Sequence, residues 1–245
     1  MENVFLDEII VSNKNNDKQY PFSLDLYNKG FDLKFSKPIT FITGENGSGK
    51  STFLENLALQ IGFNVLGGNK NHNYYDKKIH DNSGLMDSIK LIWKKKTNDG
   101  FFFRAESFFH FVNYVDDLAE ENGQYIYRSY GGKSLQEQSH GESFLALFQN
   151  RFNKGLFILD EPEAALSPER QLSLVAILDR LSKTNNCQFI IATHSPILIS
   201  CPNSELFEIE NGALQKKNYK DSKQFTLYKD FVSNPELYLK YLLKD

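Results

Sequence analysis

Cysteine is scarce in this chain, with only Cys187 and Cys201 in 245 residues. Their separation is not that of a metal site, and a pair cannot build a disulfide scaffold. Two reduced, partly buried thiols are the expectation. An excess of one charge is also lacking. Lys and Arg total 28 against 31 Asp and Glu, a formal net charge of -3. That excludes a general pull toward nucleic acid or anionic membrane and leaves only local basic patches, such as Lys94–Lys96, which read as a solvated face or a phosphate-backbone contact. No apolar run approaches the roughly 20 residues of a membrane span, so no integral membrane segment is expected. The opening "MENVFLDEII" lacks the charged-then-apolar layout of a signal peptide, so a cytoplasmic protein is expected. Internal repeats and a clear linker are missing too, which favours one domain over residues 1–245. What remains is 40% hydrophobic and 24% charged, ordinary for a globular protein.

The pattern along the chain is α/β. Residues 1–43 read as short strands, "VFLDEIIV", "FSLDLY" and "FDLKF", leading into the uniformly apolar or β-branched "ITFIT". A run of that kind suits a parallel strand buried on both faces. A Gly-rich turn follows, then a helix from about Lys50 to Gln60. Residues 62–100 are the most irregular part: 62–84 hold little periodicity and read as a long surface loop, and "LMDSIKLIWKKK" reads as a short helix or strand. "FFFRAESFFHFVNYVDDLAEE" reads as a strand running into a helix, with Phe108, Phe111, Val112, Val115 and Leu118 at helical spacing. "SFLALFQNRF" reads as a helix. "GLFILD" and "CQFIIAT" read as buried parallel strands, joined by the helix "SPERQLSLVAILDRLSK" in a strand–helix–strand crossover. A hairpin turning at Asn211-Gly212 and a last helix capped by Asn234 close the chain. "GGKS" at 131–134 reads as a plain turn, since no buried strand leads into it.

The chemistry concentrates in "FITGENGSGKSTFLENL". Gly44 to Ser51 fits G-x-x-x-x-G-K-[ST] in full, between a predicted strand and a predicted helix, as a phosphate loop requires. Its glycines let the backbone N–H groups of Asn46, Gly47, Ser48 and Gly49 turn toward phosphates, and the helix N-terminus adds positive partial charge. Lys50 is placed to neutralise β- and γ-phosphate oxygens, the Ser51 hydroxyl to hold Mg²⁺, and Thr52 to reach the α-phosphate. "LFILDEPE" supplies the acidic partner at a strand end. Asp160 suits Mg²⁺, and Glu161 suits a base toward the attacking water. ATP and Mg²⁺ are therefore the expected ligands.

Two later motifs narrow the class. "QSHGES" at 138–143 precedes the helix before Asp160, and "ATHSP" at 192–196 ends the next strand. With these, the order and spacing across residues 39–200 resemble the ATP-binding-cassette (ABC) ATPases. Ser139-His140-Gly141-Glu142 looks like a variant of their signature, "AALSP" at 164–168 occupies the place of their D-loop, and His194 matches their switch histidine. The resemblance implies a P-loop fold of ABC type. It would have a mostly parallel central sheet flanked by helices, an N-terminal antiparallel β portion, and a helical or irregular lobe at about 62–150 bearing the signature. It also implies an ATP-dependent homodimer, in which Ser139 and Gly141 reach the nucleotide of a partner protomer and His194 touches that of its own. Hydrolysis would then switch the dimer, acting on a protein partner or nucleic acid. The family's lobe glutamine falls at Glu106, a carboxylate, beside Arg104. Tyr20 and Phe22 stand where an adenine-stacking aromatic is expected, or are strand residues. His140, in place of a usual glycine, either crowds the partner's phosphate or adds a donor to it. "LDEPEAALSPERQ" and the short spacing from phosphate loop to signature look more like the soluble chromosome-maintenance, RecF-like and defence branch than like transporter subunits. A subunit energising a membrane transporter, or a nucleotide-dependent interaction module with little turnover, is the alternative.

Overall fold

A computed structural model describes residues 4–13, 18–65, 67–70, 83–184 and 186–243, without the side chains of His140 and Tyr241. Part of the loop expected at 62–84 falls outside the described residues. Two sheets organise the fold. The larger follows the order β5-β6-β7-β3-β8-β9, with β3 at Ile39–Gly44, β5 at Gly100–Arg104, β6 at Gly155–Asp160, β7 at Cys187–Ala192, β8 at Ser204–Glu210 and β9 at Ala213–Lys217. All neighbours are parallel except the β8–β9 hairpin. Strands β3, β6 and β7 are buried at every residue, which is why their sequences are continuous apolar runs rather than alternations. The hairpin turns at Asn211 and Gly212, both in the left-handed region with φ of 51° and 69°, the geometry that matches strand twist.

The smaller sheet is antiparallel, in the order β2-β1-β4, with β1 at Leu6–Val11, β2 at Phe31–Lys34 and β4 at Ile89–Trp93. Its third strand, β4, falls in "LMDSIKLIWKKK", which the sequence left open as a short helix or strand. Gln188 on β7 joins the two sheets. Its buried amide accepts from the N–H groups of Phe5 and Leu6, both at 2.8 Å, and donates to Leu6 O at 3.0 Å. One expected strand is not a strand. In "FSLDLY", the chain turns and then forms the short helix α1, Asp25–Lys29. Burial of Leu26 and Tyr27 on one side of that turn of helix satisfies the same apolar residues that suggested a strand.

The helices follow from their apolar spacing. Helix α2 spans Lys50–Ile61, α3 Ser83–Met86, α4 Phe108–Asn122, α5 His140–Asn150, α6 Pro168–Thr184, α7 Lys223–Ser233 and α8 Pro235–Leu242. Helix α6 is the crossover between the adjacent parallel strands β6 and β7. Within the span 62–150, β4 and β5 belong to the sheets, and its helices are the short α3 and those over 108–150. An aromatic ladder anchors the latter to the central sheet. Phe103 meets Phe144 at 4.5 Å, Phe144 meets Phe148 at 4.9 Å, Phe148 meets Phe152 at 4.4 Å, and Phe152 meets Phe157 at 4.3 Å between ring centroids. Such contacts add to the burial of rings that are fully enclosed. The other face of the sheet packs on α2 and the antiparallel sheet through a second core including Leu54, Leu57, Leu6 and Leu33. No helix among the described residues is long and apolar enough to cross a membrane.

Candidate functional site

The carboxyl ends of the adjacent strands β6, β7 and β3 meet along one edge of the sheet. In open α/β sheets that edge is where ligands are bound. The loop leaving β3 runs Glu45–Gly49 and turns into α2. Gly49 sits at φ 98°, and a Cβ there would stand 2.8 Å from the Tyr27 ring, so conformation and crowding both demand glycine. The Tyr27 hydroxyl donates to Gly49 O at 2.5 Å, bracing the loop from behind. Asn46 and Gly47 face solvent. Lys50, almost wholly buried, donates to its own loop through Gly44 O at 2.8 Å and Glu45 O at 3.0 Å. Burial holds its pKa down, against the opposing pull of Glu161 and Asp160. A buried ammonium on loop carbonyls gains an obvious new partner when phosphate enters.

Asp160 ends β6 and is 3% exposed. It accepts from Ser51 Oγ at 3.1 Å, and Arg104 Nε stands 3.8 Å from its other oxygen. Burial outweighs these contacts and pushes the carboxyl up to about 7. A hydroxyl and an under-compensated buried carboxylate are hard oxygen donors, so the pair fits Mg²⁺. Glu161 adopts φ 48°, unusual for a residue with a side chain. The strained turn is held by its N–H donating to Ala192 O at 3.0 Å and by the 3-10 turn Pro162–Ala165. His194, two residues past β7, places Nε2 3.6 Å from Glu161 Oε1. Burial and then the Lys50 charge hold its pKa down, so the imidazole is neutral near pH 7.

Thr52 Oγ1 lies 2.5 Å from the Tyr20 hydroxyl, so Tyr20, 59% exposed, stands beside the first turn of α2. Phe22 is 4% exposed and belongs to the core; it is not available to stack on a base. Glu106 lies in the turn between β5 and α4 and takes Arg104 Nη2 at 2.8 Å, while Arg104 Nη1 binds Glu55 on α2. Glu106, Arg104 and Glu55 thus form a carboxylate–guanidinium–carboxylate chain. Lys94–Lys96 are exposed, with Lys94 paired to Asp7 at 3.0 Å. Residues 131–134 are a turn. Cys187 and Cys201 are buried thiols pushed up to about 12 by burial, far from thiolate reactivity.

Ser139 and Gly141 lie at the start of α5. Ser139 is the N-cap of α5 in a reciprocal cap: its backbone N–H and its hydroxyl both meet Glu142 Oε2, at 3.0 and 2.6 Å. Arg170 on α6 lies 3.3 Å from the Ser139 hydroxyl, and a Cβ at Gly141 would stand 2.0 Å from its guanidinium. His140 opens α5, and its side chain is outside the described residues.

Four participants escape sequence reading. Arg170 covers the α5 terminus. Glu163 is buried, with its pKa raised by burial, and accepts from His194 N at 2.5 Å. Gln171 donates to Leu166 O at 3.1 Å and accepts from Ser195 Oγ at 2.6 Å, tying residues 164–168 to the turn after β7. Gln224 on α7 meets His194 Nδ1 at 2.9 Å. Only Glu163 had a local signal, two residues beyond the Asp160-Glu161 pair.

Comparison with known proteins points to an ATPase. A family model described as an AAA ATPase domain matches residues 94–199. The ATP-binding protein TupC of the tungstate uptake system of Campylobacter jejuni is 25% identical over 232 residues, covering 84% of this chain and 68% of that protein. Among solved structures, cbiO1 of Clostridium perfringens, part of an ABC transporter complex, superposes with a TM-score of 0.52 at 17% identity, covering 97% of this chain and 98% of its own. An SMC head bound to the C-terminal winged-helix domain of ScpA superposes with a TM-score of 0.52 at 14% identity, covering 87% and 97%. A component of an ABC transporter complex and an SMC head thus share this fold alike.

Proposed function

We propose that this ATP-hydrolysing enzyme of the ABC class works as an ATP-sandwiched homodimer, a cytoplasmic conformational switch acting on a protein partner or nucleic acid. The observation that carries the reading is where Ser139 is engaged. Its hydroxyl meets Glu142 and Arg170 at the α5 terminus, which supports a signature offered to the nucleotide of a second chain.

In each site the backbone N–H groups of Asn46, Gly47, Ser48 and Gly49 hold the phosphates, and Lys50 moves from its loop carbonyls to β- and γ-oxygens. Thr52 reaches the α-phosphate. Ser51 and Asp160 hold Mg²⁺, which supplies neutralisation of phosphate charge. Glu161 accepts a proton from the attacking water, and His194 donates to the terminal phosphate. Glu106, steered by Arg104, stands in the position of the family's lobe glutamine. Ser139 and Gly141 close the site of the partner protomer from the N-terminus of α5. Loss of the γ-phosphate removes what those donors hold, and the dimer opens.

Sedimentation tests this. Glu161→Gln with Mg²⁺ and ATP runs as a dimer, and with ADP mostly as a monomer. Adding Ser139→Arg keeps it monomeric in ATP while nucleotide binding persists. A Ser139→Arg protein that dimerises and hydrolyses normally overturns the signature role. The similarity to the tungstate-system protein supports a second reading, a subunit energising a membrane transporter. Co-purification with an integral membrane protein would select it.

A further inference from the structure

Helix α7 begins beside His194, although nothing in its sequence marks it as part of the site. Its start is well held. Ser222 is buried and caps the helix by accepting from Phe225 N at 3.2 Å. Lys223 donates its backbone N–H to Glu208 Oε1 at 3.2 Å and its ammonium pairs with Glu210 at 2.9 Å. Both acids lie on β8, which pairs with the phosphate-loop strand β3. Residue 224 is thus fixed to the same sheet that carries the loop.

The Gln224 amide nitrogen lies 2.9 Å from His194 Nδ1. With the carboxamide in this orientation its NH₂ donates and Nδ1 accepts, which puts the single proton of a neutral imidazole on Nε2; the flipped carboxamide would put it on Nδ1, and the buried Gln224 Oε1 has no hydrogen-bond partner as placed. The opposite side of the ring agrees. Nε2 is buried without a hydrogen-bond partner and faces the Glu161 carboxylate at 3.6 Å. A lone pair there would repel that carboxylate, and an N–H is attracted to it.

We infer that Gln224 is a positioning residue that holds His194 as its Nε2–H tautomer, so that the switch histidine presents a proton on the side of Glu161 and the terminal phosphate. This rests on the proposed role of His194. With the other tautomer, Nε2 would turn a lone pair toward a phosphate oxygen, and the hydrogen bond that stabilises developing charge would be lost. The burial and the Lys50 charge that keep the ring neutral are what make the tautomer matter, because a protonated ring would carry both hydrogens.

The test reads the tautomer directly and needs no nucleotide. In protein labelled with ¹⁵N-histidine, long-range ¹H–¹⁵N correlation reports which ring nitrogen carries the proton, and His194→Ala identifies the resonances. The wild type is expected to show Nε2–H. Gln224→Met, which removes the donor at similar volume, is expected to give a mixture, and to lower kcat for ATP hydrolysis roughly tenfold or more with KM within about twofold. A wild-type proton on Nδ1, or an unchanged tautomer in Gln224→Met, overturns the assignment. If His194→Ala is impaired but Gln224→Met keeps the wild-type kcat, the positioning role falls. If His194→Ala hydrolyses normally, the role of His194 itself falls, while the tautomer still answers for Gln224.

Discussion

Asp160→Asn should stabilise the nucleotide-free protein while disabling it. The wild-type carboxyl is 3% exposed and is pushed from the ordinary 3.8 to about 7. Because the folded value lies above the unfolded one, the native state binds more protons than the unfolded state between them. Stability contributed by this group therefore falls as pH rises from about 4 to about 7, and is flat outside that window. A gap of about three pH units at about 1.4 kcal/mol each is worth about 4 kcal/mol. Asparagine keeps the shape and an acceptor for Ser51 but never ionises. Arg104 retains Glu55 and Glu106. At pH 8 the variant should be more stable by about 2–4 kcal/mol, or roughly 5–15 °C in melting temperature for a chain of this size. At pH 4 the advantage should shrink below about 1 kcal/mol. Carboxylates such as Glu205, held low by Lys216 and the backbone of Ser36 despite their burial, lose stability on acidification in both proteins and cancel in the comparison. The assay is thermal unfolding by circular dichroism in EDTA across this pH range. Adding Mg²⁺ and ATP should then raise the wild type and leave the variant much less affected. A variant that melts at or below the wild type at pH 8, or whose advantage persists unchanged to pH 4, refutes a strained, metal-awaiting carboxylate.

Lys50→Ala should lose ATP binding, whereas Glu161→Gln should bind ATP and lose at least about 10²-fold in turnover; equilibrium binding beside phosphate release separates the two, and wild-type turnover in Glu161→Gln would remove it as the base. Phe148→Ala opens a cavity between Phe103, Phe144 and Phe152 and should cost about 3–5 kcal/mol in urea unfolding; a loss below about 1 kcal/mol would mean that the ladder does not anchor α5.

The sequence by itself determined the central fold and which candidate residues gather at one edge. Full burial writes β3, β6 and β7 as unbroken apolar runs, and a phosphate loop is local, eight consecutive residues that combine backbone N–H groups freed by glycine with one lysine ammonium. Asp160, Glu161 and His194 were legible for the same reason, each lying at or just past the end of such a run. Short segments carried less. "FSLDLY" buries Leu26 and Tyr27 equally well as a helical turn, and "IKLIW" becomes a strand only because β1 offers it an edge. Tertiary structure alone decided which side chains meet across sequence distance. Arg170 reaches Ser139 over 31 residues, Gln188 clamps Leu6 over 182, and Gln224 reaches His194 over 30. No periodicity encodes such contacts, because they depend on how whole helices and strands are set against one another. The pKa of Asp160 is of this kind as well, since burial, not residue type, raises it.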